Sequence, residues 1–142
     1  MANKLIFILH HAYCESPRSD FHACEVNSSN GNYHKQAEGL KPIFFQAAVA
    51  AAMQYETEIV LSGVNTELAR PGVAAEMFLP GEEGKTVHDY MQEAVEAGAC
   101  IKVCSAPADL PPDSMIPQIQ ERVGSTYLIS ELMDQDTVTL TY

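Results

Sequence analysis

Lys4-Leu-Ile-Phe-Ile-Leu9 is a short run of apolar, mostly β-forming residues near the start of the chain. A strand that is apolar on both faces is typical of the interior of a parallel sheet, where helices cover each side. Two further runs of this kind follow, Glu58-Ile-Val-Leu-Ser62 and Cys100-Ile-Lys-Val-Cys104. We therefore expect these three segments to be strands of one sheet.

Helical segments are predicted between these strands. Pro42 is expected to open a helix that runs to Met53 and is apolar nearly all the way round, with Gln46 its only polar position. Because a domain of this size has little material to cover such a helix twice, we expect one side on the sheet and the other against a second subunit. Thr86 is the expected N-cap of the next helix, which ends at Gly98.

The last part of the chain predicts three more elements. A helix is expected from Asp113 to Arg122, kinked or broken at Pro117, followed by short strands from Ser125 to Ile129 and from Thr137 to Thr141. The alternation of strands and helices indicates an α/β sandwich with a mostly parallel sheet. We expect a single domain that covers residues 1–142.

Composition and charge exclude several classes of protein. With 142 residues and 46% hydrophobic residues, the chain has what one packed domain needs and is not intrinsically disordered. Its 8 basic and 19 acidic residues give a net charge of −11, which would repel nucleic acid and anionic membrane surfaces. No apolar run reaches the ~18 residues of a membrane span. The run ending at Leu9 is too short for a signal peptide, so we expect a cytoplasmic protein with reduced cysteines.

Cys104 is the last residue of the third predicted strand, and in parallel α/β sheets reactive groups gather outside the carboxyl ends of the strands. The N–H groups of Ser105 and Ala106, with a nearby helix N-terminus, would favour a thiolate there. A thiolate is the nucleophile that attacks sulfur donors and disulfides. The alternative is a small, buried, apolar cysteine. Cys100, about 13 Å away on the same strand, is expected in the core.

A polar loop is predicted from Cys14 to Gly39, and residues 10–34 hold four of the five histidines and two of the four cysteines. His11-x-x-Cys14 and His22-x-Cys24 would supply the nitrogen and sulfur ligands that zinc prefers. A second interpretation makes Cys14 or Cys24 the thiol that resolves an intermediate on Cys104. A third is a polar surface loop with incidental histidines.

Several segments together resemble the DsrE/DsrF-like family of small sulfur-relay proteins, in the branch often labelled peroxiredoxin-like. The resemblance runs nearly end to end, and only the segment around Cys104 carries chemistry. The segments are Lys4 to Leu9, Pro42 to Met53, Glu58 to Gly63, Glu93-Ala-Val-Glu-Ala-Gly98, Ile101-Lys-Val-Cys104-Ser-Ala-Pro107, Val123-Gly124-Ser-Thr-Tyr-Leu and Asp136-Thr-Val-Thr-Leu-Thr-Tyr142.

The resemblance implies a three-layer α/β/α sandwich with a five-stranded parallel sheet, assembled as a homotrimer or hexamer. It also implies that a cysteine after the third strand, here Cys104, carries sulfane sulfur as a persulfide. The family often has a second cysteine shortly after the first, whereas Ser105, Ala106 and Pro107 stand there in this chain. That difference indicates a carrier with a single cysteine.

The function expected is thus that of a cytoplasmic sulfur carrier, a sulfurtransferase-type relay that passes sulfur from Cys104 to a partner protein. By the resemblance, the partner is a small sulfur-carrier protein of the TusA kind or a rhodanese. One alternative is a redox or regulatory module that binds zinc or a similar ion through residues 10–34. Another is a non-catalytic subunit of a hetero-oligomer. Apart from that metal ion, no cofactor is expected.

Overall fold

The computed structural model describes residues 3–10, 31–79, 81–82 and 84–142, with residues 31–36 described by their backbone. These residues form one sheet with strand order β4-β3-β2-β1-β5, in which every neighbouring pair is parallel. The predicted α/β fold with a five-stranded, mostly parallel sheet is therefore confirmed. The elements are β1 (Lys4–Leu9), α1 (Gly31–Ala52), β2 (Glu56–Leu61), α2 (Val87–Ala97), β3 (Cys100–Cys104), β4 (Ile119–Val123), α3 (Ser125–Leu132) and β5 (Thr137–Thr141).

Helices lie on both faces of the sheet. α1 and α2 pack side by side on one face, over a core to which Phe7 of β1, Phe44 of α1 and Met91 of α2 contribute fully buried side chains. α3 lies on the other face, because the chain crosses from β4 past three strands to place β5 beside β1. A right-handed crossover that reverses direction along a sheet must place its helix on the opposite face.

Side chains of the three middle strands alternate between the two faces, so every second residue points toward α3. Charged residues occupy the amino half of this face, and a small apolar cluster occupies its carboxyl half. The sequence of each strand thus decides what lies beneath α3. This face carries Lys4, Ile6 and Ile8 of β1, Glu58 and Val60 of β2, and Cys100, Lys102 and Cys104 of β3.

α1 begins earlier than the sequence predicts. Residues 31–39, assigned to the end of the predicted loop, are helical, and Pro42 lies inside the helix instead of opening it. Proline cannot donate the helical hydrogen bond and normally disfavours such a position. Ala37 and Leu40 nevertheless extend the buried face of the helix upstream of the proline, and both are almost completely buried in the core. Burial of that face offsets the missing hydrogen bond.

The outward side of α1 carries exposed apolar side chains. Phe45, Val49 and Met53, spaced four residues apart at the end of α1 and just beyond it, are all more than 40% exposed. We call these three residues the α1 stripe. The helix therefore buries one side on the core, as predicted, while the expected second subunit over its other side stays a prediction.

The predicted helix from Asp113 to Arg122 is wrong. The chain forms a single 3-10 turn at Pro112–Ser114 and then pairs with β3 as the edge strand β4. Pro117 disfavours a helix here. Ile119 packs against the core on the α1 and α2 side and Val123 against the cluster on the α3 side, so the edge strand is partly covered on both faces.

The predicted strand from Ser125 to Ile129 is also wrong, because these residues form the first part of α3. Gly124 separates the helix from β4 and serves as its N-cap. Tyr127 and Glu131, four residues apart on one side of the helix, both bond to side chains of the sheet. β-branched and aromatic residues indicate a strand on propensity alone, but these tertiary bonds favour a helix.

α2 begins and ends as the sequence predicts. The Thr86 hydroxyl accepts a hydrogen bond from the Asp89 N–H at 3.4 Å, and the Asp89 carboxylate accepts one from the Thr86 N–H at 2.9 Å. Gly98 ends the helix with a left-handed φ of 111°. This capping box satisfies N–H groups that the first helical turn otherwise leaves without a partner.

Thr86→Ala is expected to lower the free energy of unfolding by about 1 kcal/mol, because it removes the side chain that caps α2. Thr86→Ser keeps the hydroxyl and should retain most of that stability. Urea denaturation of the wild type and both variants measures the difference. Equal losses in both variants would show that the methyl group of this buried threonine matters and the cap does not.

Candidate functional site

Three neighbouring strands end side by side at the carboxyl edge of the sheet, and a polar side chain stands at each end. His10 follows β1, Ser62 follows β2, and Cys104 is the last residue of β3. The His10 Nδ1 and Ser62 Oγ atoms lie 3.2 Å apart, within hydrogen-bond distance. We call these three residues the edge row. His10 and Cys104 thus share the edge at which parallel α/β sheets bind ligands.

The Cys104 thiol is sheltered, since the residue is only 4% exposed. It packs in the small cluster on the α3 face with Ile6, Ile8 and Val60, and Leu128 of α3 packs against that cluster from above. A reagent that is to meet the sulfur must therefore approach past the first turns of α3. Cys104 therefore lies at the carboxyl edge of the sheet and is also buried beneath α3.

Ser105 bends the chain sharply after the thiol. Its φ of 53° is left-handed, a conformation that non-glycine residues rarely adopt and that is enriched at functional sites. The Ser105 hydroxyl lies 3.8 Å from the Cys104 sulfur. Its N–H, expected to point at the sulfur, instead donates to the Val123 carbonyl at 3.1 Å. In the part of the chain that the structure describes, the Ala106 N–H donates no backbone hydrogen bond.

The next helix that the sequence predicts after Cys104, from Asp113 to Arg122, does not form, because the chain makes a short 3-10 turn there and then forms β4. The helix N-terminus at this edge belongs to α3 instead. Cys104 pairs with Val123, the last residue of β4, and α3 begins two residues later at Ser125. The sequence therefore predicted a helix N-terminus near the thiol and assigned it to the wrong segment.

A cluster of charged and phenolic side chains lies on the amino half of the same face. The Glu58 carboxylate, whose side chain is 5% exposed, bonds to the ammonium groups of Lys4 and Lys102 at 3.0 Å each. It also accepts a hydrogen bond from the Tyr127 hydroxyl of α3 at 2.6 Å, and Lys102 donates to the same hydroxyl at 2.8 Å. These four residues are named here the Glu58 cluster. They connect β1, β2 and β3 to α3.

The electrostatics of the Glu58 cluster follow from burial and mutual contact. Burial alone would raise the pKa of Glu58, but hydrogen bonds from Tyr127, Lys4 and Lys102 together outweigh it and hold the pKa below its usual value. Burial opposes the charge on Lys102 as well, yet its hydrogen bonds to Tyr127 and Glu58 raise its pKa. Burial and the Glu58 carboxylate raise the pKa of the Tyr127 phenol. At neutral pH the carboxylate and both ammonium groups are therefore charged, and the phenol is neutral.

Cys100 faces the Glu58 cluster from the far end of β3 and is partly buried with a free thiol. Burial raises the pKa of its thiol, so Cys100 stays protonated and unreactive at neutral pH. The sequence predicts Cys100 in the core, whereas the structure leaves it partly buried, because it lies at the start of β3 beside the Glu58 cluster.

The remaining predicted site residues, His11, Cys14, His22 and Cys24, lie outside the described residues. The zinc site and the resolving thiol therefore stay predictions. Among the residues that are described, no three His, Cys, Asp or Glu side chains are grouped closely enough to hold a metal ion.

Sequence reasoning missed the Glu58 cluster and the bond between His10 and Ser62. A signal for the first was present, because Lys102 interrupts the apolar run of β3 and a lysine inside a covered strand needs an acidic partner. Glu58 on the neighbouring strand is that partner: it lies on the same face, two residues before Val60, which pairs with Lys102. The second contact depends on strand register, which the sequence alone does not provide.

A scan against protein-family models finds no match to this chain, and a search of the curated proteins finds none. Within the described ranges, no helix combines the length and apolar character needed to cross a bilayer.

Glu58→Gln is expected to reduce the free energy of unfolding at pH 7 by about 3 kcal/mol, because it leaves two partly buried ammonium groups without their shared carboxylate. The folded-state pKa of Glu58 lies below its ordinary value of 4.5. Its contribution is thus complete above that pH and disappears as the pH falls through the lower folded-state pKa. Urea denaturation from pH 7 downward should show the wild type and variant converging below about pH 4.5.

Glu76→Gln, which changes an exposed glutamate, is the matched control. Its free energy of unfolding should equal that of the wild type at every pH. A gap between wild type and Glu58→Gln that stays constant down to about pH 3 would contradict an ionised Glu58.

Tyr127→Phe is expected to increase the alkylation rate of Cys104 by iodoacetamide about tenfold, because the lost hydrogen bond to a carboxylate lets α3 open more often. Peptide-resolved mass spectrometry separates Cys104 from the other cysteines. Tyr55→Phe changes an exposed tyrosine and provides the control. An unchanged rate at Cys104 would mean that Tyr127 does not hold α3 over the thiol.

Proposed function

We propose that this protein is a sulfur carrier, which holds sulfane sulfur as a persulfide on Cys104 and passes it to a thiol of a partner protein. The observation that carries the proposal is the position of Cys104 at the carboxyl edge, followed at once by the left-handed Ser105. A reactive group at this edge, beside a strained residue, is the arrangement in which α/β proteins perform chemistry.

The transfer requires no added oxidant. The Cys104 thiolate attacks the outer sulfur of a hydropersulfide R–S–SH, the S–S bond of the donor breaks, and the donor leaves as the thiolate R–S⁻. Cys104 then carries –S–SH. A thiolate of the acceptor attacks that outer sulfur in turn and takes it, and the Cys104 thiolate is restored. One bond forms and one breaks in each step.

The surroundings of Cys104 support storage of a reactive sulfur. Ile8 and Val60 flank the thiol and Leu128 covers the cluster, so water and competing thiols have limited access. Lys102, on the same face of β3, directs its ammonium group to Glu58 and Tyr127, away from the carboxyl edge. The outer sulfur would therefore be stabilised by neutral donors: the Ser105 hydroxyl and the Ala106 N–H.

Partners and assembly enter the proposal through the resemblance to the DsrE/DsrF-like family. The acceptor would be a small sulfur-carrier protein of the TusA kind or a rhodanese, with a basic docking patch that complements a net charge of −11. A cytoplasmic location keeps the thiols reduced. The exposed α1 stripe supports self-association, as a homotrimer or hexamer, through α1.

Incubation with polysulfide or thiosulfate is expected to add one or more sulfur atoms to the wild type, as measured by intact-protein mass spectrometry. Reductant should remove them, because they are held as a persulfide. Cys104→Ser should take up none. Cys100→Ser is the matched control, since it changes a cysteine on the same strand and face, and it should load like the wild type. Absence of loading in the wild type, or loading that survives Cys104→Ser, would overturn the proposal.

A further inference from the structure

The edge row places Ser62 directly beside Cys104. Leu61 of β2 pairs with Val103 of β3, so the next residues along these parallel strands, Ser62 and Cys104, are neighbours. Ser62 is still in extended conformation, with φ −136° and ψ 157°, and its N–H donates to the Leu9 carbonyl as a further rung of the ladder. Its side chain shares the α3 face with Val60, two residues earlier, and with Cys104.

A gap separates the two side chains. Neighbouring strands lie about 4.8 Å apart, and in the described part of the chain the Ser62 hydroxyl has its hydrogen bond with His10 and none with the Cys104 sulfur. A persulfide extends the cysteine by an S–S bond of about 2.0 Å. The outer sulfur can thus come within hydrogen-bond reach of the Ser62 hydroxyl, although the cysteine sulfur itself does not.

We infer that Ser62, oriented by His10, is the positioning residue that donates a hydrogen bond to the sulfur delivered to Cys104. The inference rests on the proposed function. Because the bond exists only when sulfur is present, it stabilises the loaded state relative to the empty one. Ser62 therefore sets how strongly the carrier retains sulfur against an acceptor thiol.

The backbone conformation at Gly63 supports the contact between the side chains of His10 and Ser62. Gly63, which follows Ser62, has a φ of 59°, and a Cβ atom there would lie 3.1 Å from the His10 carbonyl oxygen. The Thr66 hydroxyl donates to the Gly63 carbonyl at 2.7 Å and fixes the turn. Glycine at position 63 thus allows the end of β2 to approach His10 closely. When Ser62 donates its one hydroxyl proton to the sulfur, the imidazole donates its Nδ1–H to the Ser62 oxygen.

The test is the exchange equilibrium of sulfur between Cys104 and glutathione, followed by intact-protein mass spectrometry at known ratios of glutathione to its hydropersulfide. Ser62→Ala is expected to lower the loaded-to-empty ratio about tenfold, which is the effect of one lost hydrogen bond to a charged acceptor. Ser62→Thr keeps the hydroxyl and should restore the ratio. Ser130→Ala, which changes an exposed serine of α3, provides the control for substitution as such.

His10 is tested in the same assay. His10→Ala should lower the ratio in the same direction as Ser62→Ala, while His10→Asn, whose amide can occupy the place of Nδ1, should stay near the wild type. Thermal unfolding of each variant identifies any loss of the fold, and Ser62→Thr keeps the test decisive where Ser62→Ala is destabilised.

The outcomes separate this inference from the proposed function. A wild type that takes up no sulfur at Cys104 overturns both. A wild type that loads normally, with an unchanged ratio in Ser62→Ala, overturns the role of Ser62 alone. A ratio lowered equally in Ser62→Ala and Ser62→Thr would also overturn it, because the hydroxyl would then not be responsible.

Discussion

The buried carboxylate of Glu58 is the interaction on which the α3 side of this protein depends. It neutralises ammonium groups from two neighbouring strands and accepts the hydroxyl proton of Tyr127, so one group connects three strands to α3. No residue of α3 is fully buried, and apolar packing alone would hold this helix weakly. The polar contact between Glu58 and Tyr127 therefore positions α3, and α3 in turn buries Cys104.

This arrangement divides the face beneath α3 into zones with different chemistry. The amino half holds paired charges, which are rigid and mutually satisfied. The carboxyl half holds an apolar cluster that contains the Cys104 thiol, and the polar side chains of His10 and Ser62 adjoin it at the strand ends. Since Lys102 is engaged with Glu58, the strand that carries Cys104 has no free cation beside the sulfur. A nucleophile in such a place depends on neutral hydrogen-bond donors for the stabilisation of its charge.

The sequence predicts the middle of the sheet well and its periphery poorly. β3 was predicted with its observed limits and α2 with its observed caps, because an apolar strand run and a capping box are local signals. The sequence predicts the wrong element for residues 113–122 and 125–129, because β4 forms by pairing with β3 and α3 is held by bonds from Tyr127 and Glu131 to the sheet. Of the site, Cys104 was identified from its place at a strand end. The contacts of Ser62 and Glu58 depend on how the strands are paired in register, which the sequence alone does not provide.

The role proposed for Cys104 as a sulfur carrier is tested by the chemical state of this residue in the protein as cells make it. Lysis into iodoacetamide traps persulfides before they exchange, and peptide mass spectrometry then reads the segment that contains Cys104. We expect an alkylated persulfide on the Cys104 peptide and, on the Cys100 peptide, a directly alkylated thiol without additional sulfur. A Cys104 peptide that carries no additional sulfur, from cells supplied with a sulfane source, would contradict it.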